Sequence, residues 1–273
     1  MPLRLLQNQQ NQASWISNKV QLVKRQFMDG ISLALDAVVA NRSNDYFAMP
    51  KLVAKVKKVF QRSIPGSQVT FNVPWSPDCI NGQCHDYSEI ANSCDSLIVM
   101  SFDMQKQMWT DCRAKASAPF YQTISGISAY IKLGIDSRKI VMGVPWYGFN
   151  YPCKRFLEAG NCELIGRPYR GAPCSSKIAR RLPYKDIMRQ LSRSVSGKIW
   201  DDDVKAPYFV YKAGEKYHEV WYDDPESISM RATILKKLKL QGISIWFGNY
   251  LNYSTDPRVA MQTEEMWNAL CPP

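Results

Sequence analysis

Long apolar runs, histidines and metal-ligand spacings are all scarce in this sequence. No stretch approaches the roughly 18 consecutive apolar residues of a membrane-spanning helix, so no membrane span is predicted. The chain has only 2 histidines, His85 and His218, and no Cys-x-x-Cys pair. These absences argue against a zinc site, and no pattern requires a metal or a cofactor. Residues 1–10 lack the apolar run of a signal peptide, so none is visible in this chain.

Charge of one sign is abundant, but it is scattered. A formal net charge of +11 would suit nucleic acid or an acidic membrane surface. The basic residues cluster only locally, between 51 and 58, between 236 and 239, and at Arg180-Arg181 in a predicted loop. No zinc-finger, homeodomain or RNA-recognition pattern accompanies them, so we interpret them as solvated surface and expect no nucleic-acid partner. The oligomeric state is left open.

Eight cysteines, an even number, favour an oxidising compartment. Two glycosylation acceptor patterns, at Asn41-Arg42-Ser43 and Asn252-Tyr253-Ser254, point the same way. The close spacings Cys79/Cys84 and Cys153/Cys162 suggest local disulfides, although spacing cannot decide the connectivity.

Strands and helices alternate along the chain in the pattern of a parallel α/β sheet. We predict helices at about 13–26, 49–60, 114–132 and 226–240, and a last one ending near residue 270. We predict five strands, at 27–36, 68–73, 96–103, 139–148 and 242–247. Residues 151–220 interrupt this rhythm and are predicted to be an insertion. A closed (β/α)₈ barrel needs eight strands, so these five form only part of one.

The first predicted strand ends in a carboxylate. Ile31, Leu33 and Leu35 alternate with Ser32, Ala34 and Asp36, so the second set faces the opposite side of the sheet. In a parallel barrel that side is the interior, and its last residue opens into the active-site mouth. The alternative is plain structure, because Asp-Gly followed by an apolar run is a common turn into a strand.

Five motifs in order resemble strands four to eight of glycoside hydrolase family 18, the chitinase-like barrels. The motifs are residues 29–36, 67–71, 99–103, 142–148 with 221–228, and 242–246. The resemblance implies an α/β fold, a partial (β/α)₈ TIM barrel with a small α+β insertion between the last two strands. It further implies one truncated glycosidase-like domain over 1–273, with 151–220 inserted in it. The first three strands are expected to be missing.

The resemblance also implies a substrate-assisted hydrolysis, in which the 2-acetamido oxygen of the sugar attacks its own anomeric carbon. The fourth strand of the family reads D-G-x-D-x-D-x-E, with the acid at the final Glu and the orienting carboxylate two residues before it. Here only Asp29 and Gly30 are kept: Asp36 occupies the general-acid position, Ala34 replaces the orienting Asp, and Ser32 stands where Asp or Asn is usual. We therefore expect a glycosidase homologue whose catalysis is impaired or lost.

The later motifs imply a substrate-binding set. Phe102 stands where the family has Tyr in its Met-x-Tyr-Asp motif. The remaining positions match the family and are Met100, Asp103, Trp146, Tyr147 and Trp246. Trp246 corresponds to the aromatic floor beneath the sugar, although ordinary core packing is the alternative for such aromatics.

The implied partner is an oligosaccharide containing N-acetylglucosamine. We expect the chain to act on or recognise the β-1,4 chitobiose core of N-linked glycans, with little or no hydrolysis, and to be lysosomal by resemblance. The alternative is a non-catalytic, lectin-like carbohydrate-binding protein. A third hypothesis is that another chain completes the barrel.

Overall fold

The computed structural model describes residues 8–271 and divides the chain into two compact units. Unit 1 contains the residues up to Met100, together with Ser125–Met142 and Lys239–Gly242. Unit 2 contains Ser101–Ile124, Gly143–Leu238 and the residues from Ile243 onward. The assignment of 1–273 to a single domain stays a prediction.

Seven α-helices lie in the described part of the chain: α1 (Gln9–Arg25), α2 (Asn44–Ser63), α3 (Tyr87–Ser93), α4 (Phe120–Lys132), α5 (Tyr184–Leu191), α6 (Pro225–Leu238) and α7 (Pro257–Asn268). The strands there are β1 (Gly30–Leu33), β2 (Gln68–Val73), β3 (Ser96–Met100), β4 (Ile140–Pro145), β5 (Tyr147–Pro152), β6 (Arg155–Phe156), β7 (Cys162–Glu163), β8 (Arg180–Pro183), β9 (Ile199–Asp201), β10 (Ala206–Ala213), β11 (Lys216–Trp221) and β12 (Gly242–Trp246).

A five-stranded sheet has the order β1-β2-β3-β4-β12, which is the order of the five predicted strands. β1 pairs with β2 in parallel, with Ile31 opposite Val69, and β2 pairs with β3 in parallel, with Phe71 opposite Leu97. Helices separate the strands along the chain, as parallel connections require. The predicted α/β class and partial barrel are confirmed.

Four predicted strands differ in extent from the observed ones, the last of them only in ending at Trp246 instead of residue 247. β1 ends at Leu33, three residues before Asp36, and β3 ends at Met100 because Asp103 adopts a left-handed backbone with φ of 59°. The strand predicted at 139–148 is two strands, since the chain leaves the parallel sheet after Pro145 and enters a second sheet at Tyr147.

The core of unit 1 contains an amphipathic helix. Ser43 caps α2 by accepting a hydrogen bond from the backbone N–H of Tyr46 at 3.3 Å. Leu52, Val56 and Phe60 recur at helical spacing and are fully buried. This is the apolar stripe that the sequence predicts for this helix.

Unit 2 contains an antiparallel sheet in the order β8-β5-β11-β10-β9, which includes most of the predicted insertion. One buried cluster against it contains Trp146, Phe209 and Tyr222. Arg180-Arg181, predicted in a loop, begin β8 instead. The small strands β6 and β7 form a separate two-stranded sheet.

Three disulfides connect described cysteines. Cys79–Cys84 and Cys153–Cys162 confirm the bridges suggested by their spacing, and Cys112–Cys174 joins residues 62 apart. Over residues 8–271, no helix is long and apolar enough to cross a membrane. No group of three or more His, Cys, Asp or Glu in that same stretch could hold a metal ion.

Candidate functional site

The residues after β1 keep the alternation of a strand although the strand itself has ended. Leu33 and Leu35 are buried, whereas Ser32, Ala34 and Asp36 are exposed. The predicted separation of the two sets onto opposite faces is therefore observed. Asp29, the other predicted catalytic residue, is also exposed and lies just before β1.

Asp36 is held by an amide from another loop of unit 1. The side-chain N–H of Gln83 donates to Asp36 Oδ1 at 3.1 Å. The Gln83 loop is fixed in turn by the Cys79–Cys84 disulfide and by backbone hydrogen bonds to Val39 at 2.9 and 3.1 Å. Sequence reasoning missed Gln83, and no motif could have indicated it, because 47 residues separate it from Asp36.

Asp103 in unit 2 is almost completely surrounded by donors. Its side chain is 8% exposed and accepts a hydrogen bond from the Tyr147 hydroxyl at 2.7 Å on Oδ1. Its Oδ2 lies 3.1 Å from Arg181 Nη2 and 3.2 Å from Lys106 Nζ. The backbone N–H of Asp103 donates to Ser117 Oγ at 3.0 Å. The carboxylate is therefore fixed in position by charge-assisted contacts.

Burial, and next the negative charge of Asp103, raise the pKa of Tyr147 well above its usual range. The phenol therefore keeps its proton at neutral pH and remains a hydrogen-bond donor to Asp103. This donor belongs to β5 and the acceptor follows β3, so the contact depends on the chain turning into the second sheet at Tyr147.

Aromatic rings pack beside this carboxylate. The Phe102 ring lies 6.0 Å from Tyr147, edge to face, and 6.0 Å from Trp246. The Arg181 guanidinium lies over the Tyr147 ring at 4.4 Å and over Phe149 at 5.8 Å. These distances fall in the range of favourable aromatic and cation–π contacts. Unit 2 thus combines apolar ring faces with an anchored carboxylate.

The predicted substrate-binding residues are not all in this cluster. Phe102, Asp103, Tyr147 and Trp246 are in contact with one another, directly or through a shared neighbour. Trp146 lies in the core of unit 2, fully buried, with its ring 4.7 Å from that of Trp267.

Met100 is half-buried at the end of β3 and belongs to unit 1. Arg181 was missed as a site residue and interpreted as solvated surface. Its contact with Asp103 spans 78 residues, and nothing in the local sequence indicates it.

Comparison with known proteins decides the family. The model described as "Glycosyl hydrolases family 18" matches residues 3–249. This chain belongs to glycosyl hydrolase family 18. The family predicted from the five motifs is therefore confirmed.

Two relatives within family 18 are similar over most of the chain. Di-N-acetylchitobiase of Homo sapiens is 48% identical over 262 residues, covering 95% of this chain and 68% of the relative. Probable di-N-acetylchitobiase 2 of Dictyostelium discoideum is 29% identical over 283 residues, covering 98% of this chain and 72% of the relative. The chain is a homologue of these family 18 proteins.

Solved family 18 structures share the fold. The class V chitinase from Nicotiana tobaccum superposes with a TM-score of 0.76 at 17% identity, over 97% of this chain and 76% of the chitinase. The spore cortex-lytic enzyme SleL of Bacillus cereus gives a TM-score of 0.70 at 21% identity, over 97% of this chain but only 53% of SleL. At such low identity these likenesses show the fold alone.

Proposed function

We propose that this chain recognises the β-1,4-linked N-acetylglucosamine pair of the chitobiose core of N-linked glycans and hydrolyses it little or not at all. The observation that carries the proposal is that the expected binding residues are kept while the expected catalytic residues are replaced. The binding carboxylate Asp103 keeps an ordered set of donors, whereas Asp36 and Ala34 replace the acid and the orienting carboxylate.

The substitution at the acid position weakens proton donation. An Asp side chain is one methylene shorter than Glu, which withdraws the proton by about 1 Å, and misplacement of that order costs roughly a hundredfold in rate. Gln83 further holds one oxygen of Asp36 with an amide donor. Asp36 therefore occupies the position of the general acid in this proposal, but it donates a proton less efficiently than Glu would.

Two further substitutions, at Ala34 and Phe102, remove groups that would stabilise the reacting acetamido group. Ala34 has no carboxylate to offset the developing positive charge, a contribution typically of a few kcal/mol, or about two to three decades in rate. Phe102 has no hydroxyl to donate. These losses in rate should not be multiplied, because the effects of residues that act as one unit are strongly non-additive.

Binding is tested by tryptophan fluorescence during a chitobiose titration. We expect the sugar to quench or shift the emission, because Trp246 is only partly buried and lies against Phe102. The change should be lost in Trp246→Phe and kept in the control Trp109→Phe, because Trp109 is a surface residue that is 61% exposed. A folded sample that gives no response would sink the proposal.

Turnover decides between the two candidate functions. Cleavage of a fluorogenic N-acetylglucosamine substrate, even slow, supports a weak glycosidase. Binding with no cleavage above the uncatalysed rate supports the lectin-like alternative, which the loss of both Glu and Asp from the β1 motif favours.

A lysosomal location is part of the proposal. The three disulfides support an oxidising compartment. Fractionation of cells that express the tagged chain tests it: the protein should follow a lysosomal marker, and a purely cytosolic distribution would contradict it.

A further inference from the structure

Three cationic side chains border one pocket of unit 2, and Asp103 also lines this pocket. The pocket has a volume of about 260 Å³, and its wall includes Lys106, Lys177 and Arg181 together with Tyr169. A pocket of that volume has room for a sugar ring bearing a small substituent.

The charges in this pocket do not balance. Asp103 is the single carboxylate of the wall, and one of its oxygens is shared by Arg181 at 3.1 Å and Lys106 at 3.2 Å. Lys177 adds a third positive charge. Three cations and one anion leave the pocket with a net charge of about +2, and such a concentration of one sign attracts anions into a concave site.

Lys177 is positioned without an acidic partner. Its ammonium lies 4.2 Å from the centre of the Tyr169 ring, and among residues 8–271 no carboxylate approaches within ion-pair distance of it. The backbone N–H of Lys177 donates to Ser175 Oγ at 3.4 Å, which anchors its short helical turn. Its charge is therefore available to a ligand and is held at the wall by the ring.

Arg181 is held in a similar way. Its guanidinium lies 4.4 Å from the centre of the Tyr147 ring, and the contact with Asp103 uses its Nη2. A guanidinium has five N–H donors in a fixed fork, so donors remain for a second anion. The neutral chitobiose core offers no group that uses this charge.

We propose that this pocket binds a sugar that carries an anionic oxygen group, a sulfate, a phosphate or a carboxylate, with Lys177 and Arg181 as the determinants of that preference. That the ligand is a sugar rests on the proposed function. That it carries an anionic group rests on the charges of the pocket alone. At this pocket an acidic sugar is then favoured over a neutral one.

The test compares N-acetylglucosamine 6-sulfate, N-acetylglucosamine 6-phosphate and glucuronic acid with neutral N-acetylglucosamine, by calorimetric titration of the full chain. Each anionic sugar that fits should bind about tenfold more tightly than the neutral sugar, the ratio expected for one charge-assisted hydrogen bond. The three acids distinguish the source of the anion. Their advantage should shrink as salt is added.

A charge variant and a matched control identify the residue. Lys177→Gln should remove most of the tenfold preference and leave the affinity for the neutral sugar unchanged. Lys237→Gln removes the same charge from an exposed position of α6 and should behave as the unmodified chain. Both lysines are exposed, so neither change threatens folding.

The outcomes separate this inference from the proposed function. Equal binding of acidic and neutral sugars, or equal effects of the two lysine variants, would overturn the inference even if chitobiose binds. Inorganic sulfate binding as tightly as the sulfated sugar would overturn the assignment to a sugar. Preference for acidic sugars without any chitobiose binding would support the pocket and contradict the proposed function.

Discussion

Asp36 in unit 1 and Asp103 in unit 2 each follow a strand of the parallel sheet, yet their surroundings differ. Asp36 is exposed, and its Oδ1 accepts a hydrogen bond from the side-chain amide of Gln83. Asp103 is 8% exposed and is contacted by a phenol, a guanidinium and an ammonium. In the proposed function Asp103 only binds, and a carboxylate with that role can be immobilised in this way. Asp36 has the proposed role of proton donor, which also requires the correct reach.

The largest effect is expected from repairing the unit 1 strand. Asp36→Glu combined with Ala34→Asp should raise the cleavage of a fluorogenic N-acetylglucosamine substrate by more than about a hundredfold, because both the reach of the acid and the orienting charge return. The control Asp36→Gln with Ala34→Asp has the length of Glu but no proton to donate, and should show no gain. If the unmodified chain is as fast as the repaired one, the substitutions at Asp36 and Ala34 do not impair catalysis.

Glu219 is a third carboxylate to compare with Asp103. It is buried as well, but its hydrogen-bond donors are neutral. It is 0% exposed and accepts hydrogen bonds from Trp221 Nε1 at 2.7 Å and from the Gly160 N–H at 2.8 Å. Burial raises the pKa of Glu219 from 4.5 to about 7, against the smaller opposing effect of the two hydrogen bonds. Because the two donors are neutral, the effect of burial on the pKa of Glu219 exceeds that of the hydrogen bonds.

The raised pKa makes stability depend on pH. The protonated form contributes to the free energy of unfolding fully below about pH 4.5, and the contribution is lost as the pH rises through about 7. We expect a loss of about 3 kcal/mol across that window, measured by urea unfolding. Glu219→Gln should abolish this loss, and Glu264→Gln, at an exposed position, should retain it. A flat profile for the unmodified chain would contradict the assignment.

The two aspartates can be compared directly by truncation. Asp103→Ala should lower the free energy of unfolding by about 2 kcal/mol, because the buried Tyr147 hydroxyl loses its acceptor and two cations lose their shared anion. Asp36→Ala, at an exposed position, should cost less than about 0.5 kcal/mol. Chemical denaturation of both variants measures the difference, and equal losses would show that the two surroundings do not matter.

The smallest expected effect is at Phe102. Phe102→Tyr adds the hydroxyl that the family has at this position, and should strengthen chitobiose binding by about fivefold, the value of one hydrogen bond. Phe149→Tyr serves as the control, because it adds a hydroxyl to another ring that packs against Tyr147. Unchanged affinity in the Phe102 variant would remove this residue from the proposed acetamido contact.

Much of unit 1 could be predicted because its determinants are local. The periodicity of Leu52, Val56 and Phe60 indicates a helix with one buried face, and the β-branched run of β2 indicates a strand with the observed bounds. The alternation through Leu33 and Leu35 was predicted as well, since it follows from the two-residue period of extended backbone. Where β1 stops was not, because strand length depends on pairing with β2.

Unit 2 was predicted less completely, because its contacts are distant in sequence. Trp146 and Tyr147 are neighbours in one motif, yet the chain changes sheets between them, so one ring enters the core and the other reaches Asp103. Arg181 is indistinguishable in the sequence from a solvated arginine. Only packing shows that it lies over Tyr147 and pairs with Asp103.

The sequence by itself determined the α/β rhythm, the family and the residues that depart from its catalytic motif, because these depend on residue identity and on short-range periodicity. The tertiary structure decided which carboxylate is immobilised, which tryptophan is core and where the cationic pocket lies. Those properties arise from desolvation and from contacts between side chains that are 40 to 80 residues apart, such as Asp36 with Gln83 and Asp103 with Arg181. Local sequence carries no record of such contacts.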